Sequence, residues 1–83
     1  QDYKGNEIDA VMELDDGNWC AFEIKLGLNK AEEGAENLIK VCNAIVDNGG
    51  KEPLLKCVIY GAGNMAYRNA NGVYILPLTS LKQ

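Results

Sequence analysis

The chain has 83 residues, of which 47% are hydrophobic and 24% charged, and its net charge is −4. That length allows one small domain with a marginal core, burying only about 60–65% of the surface its unfolded form exposes. The acidic balance argues against a basic surface for wrapping nucleic acid, though not against a local positive patch.

Three cysteines, Cys20, Cys42 and Cys57, all fall inside apolar runs. An odd count without paired spacing argues against a disulfide framework or a zinc site and reads as reduced core thiols of a cytoplasmic protein. No signal peptide, transit sequence or membrane-length apolar run is visible, so no membrane partner is expected. The sequence starts in mid-pattern at Gln1, which reads as a fragment cut from a longer polypeptide.

In chain order, Gln1 to Tyr3 read as the tail of a strand, and Lys4-Gly5-Asn6 as a turn into a strand over Glu7–Leu14. Asp15-Asp16-Gly17 suits a three-residue hairpin loop with glycine where positive φ is needed, leading to a second strand over Trp19–Leu26. This loop length sets Asn18 opposite Leu14, Ala21 opposite Val11, Glu23 opposite Asp9 and Lys25 opposite Glu7. Side chains alternate along a strand. One face therefore carries the apolar layer Ile8, Ala10, Met12, Cys20, Phe22 and Ile24, and the other gathers Glu7, Asp9, Glu23 and Lys25. A loop of two or four residues would flip the parity and dissolve this grouping.

Asn29 reads as a helix cap, with Glu32 placed for a capping box. The helix it would open runs from about Lys30 to Asn48. Ala31, Ala35, Leu38, Cys42 and Ile45 form one stripe, flanked by Ile39 and Val46. Glu32, Glu33, Glu36, Lys40 and Asp47 fill a solvated side. Asn48-Gly49-Gly50 stops the helix, with Pro53 beyond. Leu54–Tyr60 is a nearly continuous apolar run, as in a strand covered on both faces. Following a strand and a helix, it should lie parallel to Trp19–Leu26 through a right-handed crossover.

Gly61-Ala62-Gly63-Asn64 reads as a turn and a weak phosphate-binding signal, because no helix follows it. Met65–Asn69 and Val73–Leu76 flank Ala70-Asn71-Gly72 as a second hairpin, whose exposed edge could serve self-association. Pro77 ends the last strand or marks an edge, and Thr79–Lys82 starts a short helical turn.

Charged residues inside apolar runs cost free energy unless paired or metal-bound. Two carboxylates opposed across a strand pair lie roughly 5 Å apart at Cβ and need a cation between them, either a divalent metal or the Lys25 ammonium. An Asp facing Glu-x-Lys is the arrangement of metal-dependent phosphodiesterases. There Asp9, Glu23 and the Ile24 carbonyl would ligate Mg²⁺, and Lys25 would orient or activate the nucleophile. Glu7 would support Lys25. Glu-x-Lys is equally common on exposed strand faces as cross-strand salt bridges, so the residues alone leave both readings open.

Together, the segments Glu7–Leu14, Ala21–Gly27, Ala35–Leu38 and Tyr60–Leu81 resemble one family. It is the C-terminal domain of prokaryotic AAA-type ATP-binding proteins of unknown function, which is similar to the restriction-endonuclease-like PD-(D/E)xK fold. The likeness runs from Tyr3 to Lys82.

The resemblance implies an α/β fold over residues 1–83, as a single nuclease-like domain from the C-terminal part of a longer ATPase. Its core would be a mixed sheet made of an antiparallel hairpin, a crossover helix and a parallel strand, followed by a C-terminal β-hairpin. It also implies Asp9, Glu23 and Lys25 as the endonuclease-type motif, with no nucleotide site. The opening helix and first strand usual in nucleases have no counterpart in this sequence.

Three functions follow: a Mg²⁺-dependent nuclease acting on nucleic acid, a catalytically silent interaction module of the parent ATPase, or a structural, homo-oligomerising domain with a salt-bridged face. The acidic net charge favours the last two, and the assembled acidic face the first.

Overall fold

A computed structural model describes residues 10–81, apart from the side chains of Ala62, Ser80 and Leu81. Strand β1 (Ala10–Glu13) runs antiparallel to β2 (Trp19–Gly27), with Ala10 facing Phe22 and Val11 facing Ala21. This is the register expected from the loop. Gly17 adopts φ 87°, and the loop closes with Leu14 N–H donating to the Asn18 carbonyl at 2.8 Å and Gly17 N–H to that of Leu14 at 3.1 Å.

After a single 3-10 turn at Leu28–Lys30, helix α1 spans Ala31–Asp47. It starts without a side-chain cap, so the expected capping box of Asn29 and Glu32 does not form. The Glu32 carboxylate is instead taken up by the second hairpin. It accepts from Tyr67 Oη at 2.7 Å and from Asn69 Nδ2 at 3.0 Å. At the other end, Gly50 N–H donates to the Ile45 carbonyl and Gly49 N–H to that of Val46. This is the Schellman pattern that Asn48-Gly49-Gly50 announces.

Strand β3 (Leu55–Ala62) lies parallel to β2, with Glu23 beside Val58 and Lys25 beside Tyr60. Trp19 anchors the connection into β3: its indole N–H donates to the Lys51 carbonyl at 2.7 Å and its own carbonyl accepts Leu54 N–H at 2.8 Å. Strands β4 (Tyr67–Arg68) and β5 (Tyr74–Pro77) form the second hairpin, and the sheet order is β1-β2-β3-β5-β4. The chain leaves β3, crosses to the edge as β4 and returns between them, so β5 pairs parallel to β3. Pro77 therefore ends an interior strand and is not at an edge. A 3-10 turn at Leu78–Leu81 follows. The β4–β5 loop repeats the first one, with Gly72 at φ 85° and the Asn69 side chain accepting the N–H of Asn71 and Val73.

The core lies between α1 and one face of the sheet. Ala31, Ala35, Leu38 and Cys42 pack on Ala21, Val58, Tyr60, Val73 and Ile75. Each fully buried Leu, Val or Ile contributes about 1.5–3 kcal/mol. The Tyr60 hydroxyl, buried with its ring, donates to the Met65 carbonyl at 2.7 Å and accepts Met65 N–H at 2.8 Å. It thereby fixes the loop after β3.

Which face of the hairpin packs is a finding the alternation alone did not supply. The helix covers Ala21 and Glu23, whereas the residues read as an apolar layer include the exposed Met12 and Ile24. The described structure is an α/β domain with a five-stranded mixed sheet and one α-helix. No helix among the described residues is long and apolar enough to cross a membrane.

Candidate functional site

Glu23 and Lys25 are separated by one residue on β2 and so share a face, with Ile24 turned to the opposite one. Glu23 is 5% exposed, the one buried charged residue described, whereas Ile24 is 57% exposed. Lys25 Nζ stands 3.1 Å from Glu23 Oε2. The other oxygen, Oε1, accepts a hydrogen bond from Asn37 Nδ2 at 2.8 Å.

A buried carboxylate is tolerable because the chain supplies both a charge partner and a neutral donor. No buried side-chain nitrogen or oxygen among the described residues lacks a hydrogen-bond partner. Two of the three motif residues are thus brought together. Asp9, the third, lies outside the described residues, as does Glu7.

Two features of α1 complete this geometry, and neither was read from sequence. Asn37 faces the sheet between the buried positions Gly34, Leu38 and Val41. A signal was present, since asparagine is a weak helix former that sits here among apolar neighbours. Gly34 is buried, and a Cβ built on it would stand 3.1 Å from Lys25 Cε and 3.2 Å from Lys25 Cγ. The lysine stem runs directly under the helix backbone at this point. Glycine in a helix interior costs about 1 kcal/mol relative to alanine, and that cost is accepted here.

The donor chemistry bears on a metal. Glu23 offers hard oxygens of the kind magnesium takes, but both oxygens already accept hydrogen bonds or face an ammonium. Among the described residues no group of three or more His, Cys, Asp or Glu side chains is arranged to hold a metal ion. Of the carboxylates expected to bind a metal, the described residues include Glu23 alone.

Four other titratable groups are shifted by their surroundings. Burial pushes the Cys42 and Cys57 thiols above the usual thiol range; at Cys42 the nearby Lys56 opposes part of that rise. All three cysteines are free and buried. The hydrogen bond to Glu32 raises the Tyr67 hydroxyl above its ordinary value. Hydrogen bonds from the Asn18 backbone and side chain lower Asp16 within the first loop.

A family model described as a domain of unknown function (DUF4143) matches residues 1–81. No curated protein and no solved structure matches the chain.

Proposed function

This chain belongs to the DUF4143 family, and we propose that it is a nuclease-like domain of the PD-(D/E)xK kind, hydrolysing phosphodiester bonds of nucleic acid with Mg²⁺. The observation that carries the reading is the Glu23–Lys25 couple. A carboxylate is buried on a central strand, two residues from the lysine whose ammonium it meets at 3.1 Å. The described part of the β1–β2 register agrees with the one from which the sequence sets Asp9 opposite Glu23.

In this reading Asp9, Glu23 and the Ile24 carbonyl would hold the cation, which would lower the pKa of a water and offset charge on phosphate. Lys25, now 3.1 Å from Glu23 Oε2, would orient the attacking water or a phosphate oxygen. Asn37 keeps Oε1. The same reading places the domain beside an AAA-type ATPase module, in the cytoplasm, with the short β4 edge available for self-association.

A second reading is favoured by one observation: both oxygens of Glu23 are already engaged by Lys25 and Asn37. On that reading the couple is a structural ion pair in a catalytically silent interaction module of the ATPase.

Melting curves in Mg²⁺ and Mn²⁺, with cleavage assays on DNA and RNA, separate the two. Hydrolysis predicts a metal-dependent rise in melting temperature that Asp9→Asn and Glu23→Gln abolish. It also predicts a loss of cleavage of at least about 100-fold in Lys25→Met, the scale of one acid–base or electrostatic contribution. A metal-insensitive melting temperature with no cleavage leaves the silent module.

A further inference from the structure

We propose that Gly34 and Asn37 of α1 are positioning residues that seat the Glu23–Lys25 couple, the first by leaving room for the lysine stem and the second by holding one carboxylate oxygen. The inference deepens the nuclease-like reading and rests on it for its functional meaning, because seating a couple matters to chemistry only where the couple works.

A helix interior disfavours both residues. Glycine loses the most backbone freedom on entering a helix, and asparagine competes for backbone hydrogen bonds outside it. Both occur within one turn of α1, and both meet the couple. A Cβ at residue 34 would press on Lys25 Cγ and Cε at 3.2 and 3.1 Å, closer than side-chain contacts normally run. Asn37 Nδ2 reaches Glu23 Oε1 at 2.8 Å, so Oε2 is the oxygen that faces Lys25 Nζ at 3.1 Å. The amide donates without carrying charge, so it orients the carboxylate and leaves Lys25 as the cation beside it.

A helix face that only packed would do better with alanine and leucine at these positions. Two locally unfavourable choices that resolve on the same charged pair are the mark of site geometry overriding local preference.

A double-mutant cycle tests the glycine. Freed of Lys25, Gly34→Ala should raise the melting temperature by about 4–8 °C, the effect of a relieved helix glycine in a domain this small. With Lys25 present, the gain should fall to half of that or less. Equal gains in wild-type and Lys25→Ala backgrounds overturn the role of Gly34.

For the asparagine, hydrogen exchange of the Lys25 ammonium is the readout, because loss of packing alone would not move it selectively. Asn37→Leu should speed that exchange at least tenfold while β3 and β5 amides keep their protection, and Asn37→Gln should restore part of the protection. Asn37→Ala substitutes if the leucine variant does not fold. Unchanged ammonium exchange in a folded variant overturns the role of Asn37.

These readouts do not depend on cleavage. Coupling found in a protein that hydrolyses nothing keeps the positioning and removes the nuclease reading. Hydrolysis in a protein where Gly34→Ala gains equally in both backgrounds and Asn37→Leu leaves the ammonium exchange unchanged keeps the nuclease reading and removes the positioning.

Discussion

On one face of β2, Ala21 and Glu23 are buried beneath α1 and Lys25 is half-buried beside them. On the other, Cys20 is buried and Phe22 half-buried near the start of the strand, but Ile24 is exposed and Leu26 is 90% exposed. The side with the charges is the covered one, and the side with the aliphatics is the more open one. Over the Glu23–Leu26 half of the strand, the cover of α1 and not polarity decides which side is buried, and polarity decides what a covered residue must be given in return. Glu23 receives an ammonium and an amide, the partners that a covered carboxylate requires.

The contrast is broken most severely from the helix side. Leu38→Ala removes a fully buried side chain from the layer over the inner face and should lower stability by about 2–5 kcal/mol in denaturant titrations. Lys25→Ala comes next, leaving the Glu23 carboxylate buried with Asn37 alone. Breaking a fully buried pair costs about 3–5 kcal/mol. The lysine side chain is 29% exposed, so water screens part of that and about 1–3 kcal/mol is expected.

Tyr67→Phe removes a hydrogen bond that ties the second hairpin to the first turn of α1 and should cost about 0.5–1.5 kcal/mol. Because the Tyr67 hydroxyl is raised above 10.0 in the folded protein, its contribution is fully present below the unfolded value and is lost as pH rises through the folded one. The phenylalanine variant should therefore lack that part of the alkaline loss in a pH series of unfolding curves. Smallest of all, Ile24→Ser on the open face should change stability within about 0.5 kcal/mol. A loss as large as that of Leu38→Ala would mean that the open face is covered in solution.

Much of the fold could be read from the chain because short-range chemistry determined it. Asp15-Asp16-Gly17 fixed loop length and hence register, and the Ala31–Ala35–Leu38–Cys42 stripe identified the inward side of α1. Asn48-Gly49-Gly50 set the helix end, and Ala70-Asn71-Gly72 the second hairpin. What could not be read depended on distant partners. The capping box failed because Tyr67 and Asn69, 35 and 37 residues from Glu32, claim its carboxylate. Alternation in β2 gave two faces without saying which would meet α1. The parallel pairing of β5 with β3 arises from the order in which the chain crosses to the sheet edge and returns. Glu23 and Lys25 were legible as a pair on one face, and their partner Asn37 was not, since only the packed helix brings it to Oε1.

Paramagnetic Mn²⁺ titration followed by amide NMR tests the site most directly. Selective broadening of Glu23, Ile24 and Lys25 is expected at low metal concentration, lost in Glu23→Gln, with the amides of β5 spared. Broadening confined to surface acids such as Asp15, Asp16 and Glu36, with the β2 signals untouched, would contradict it.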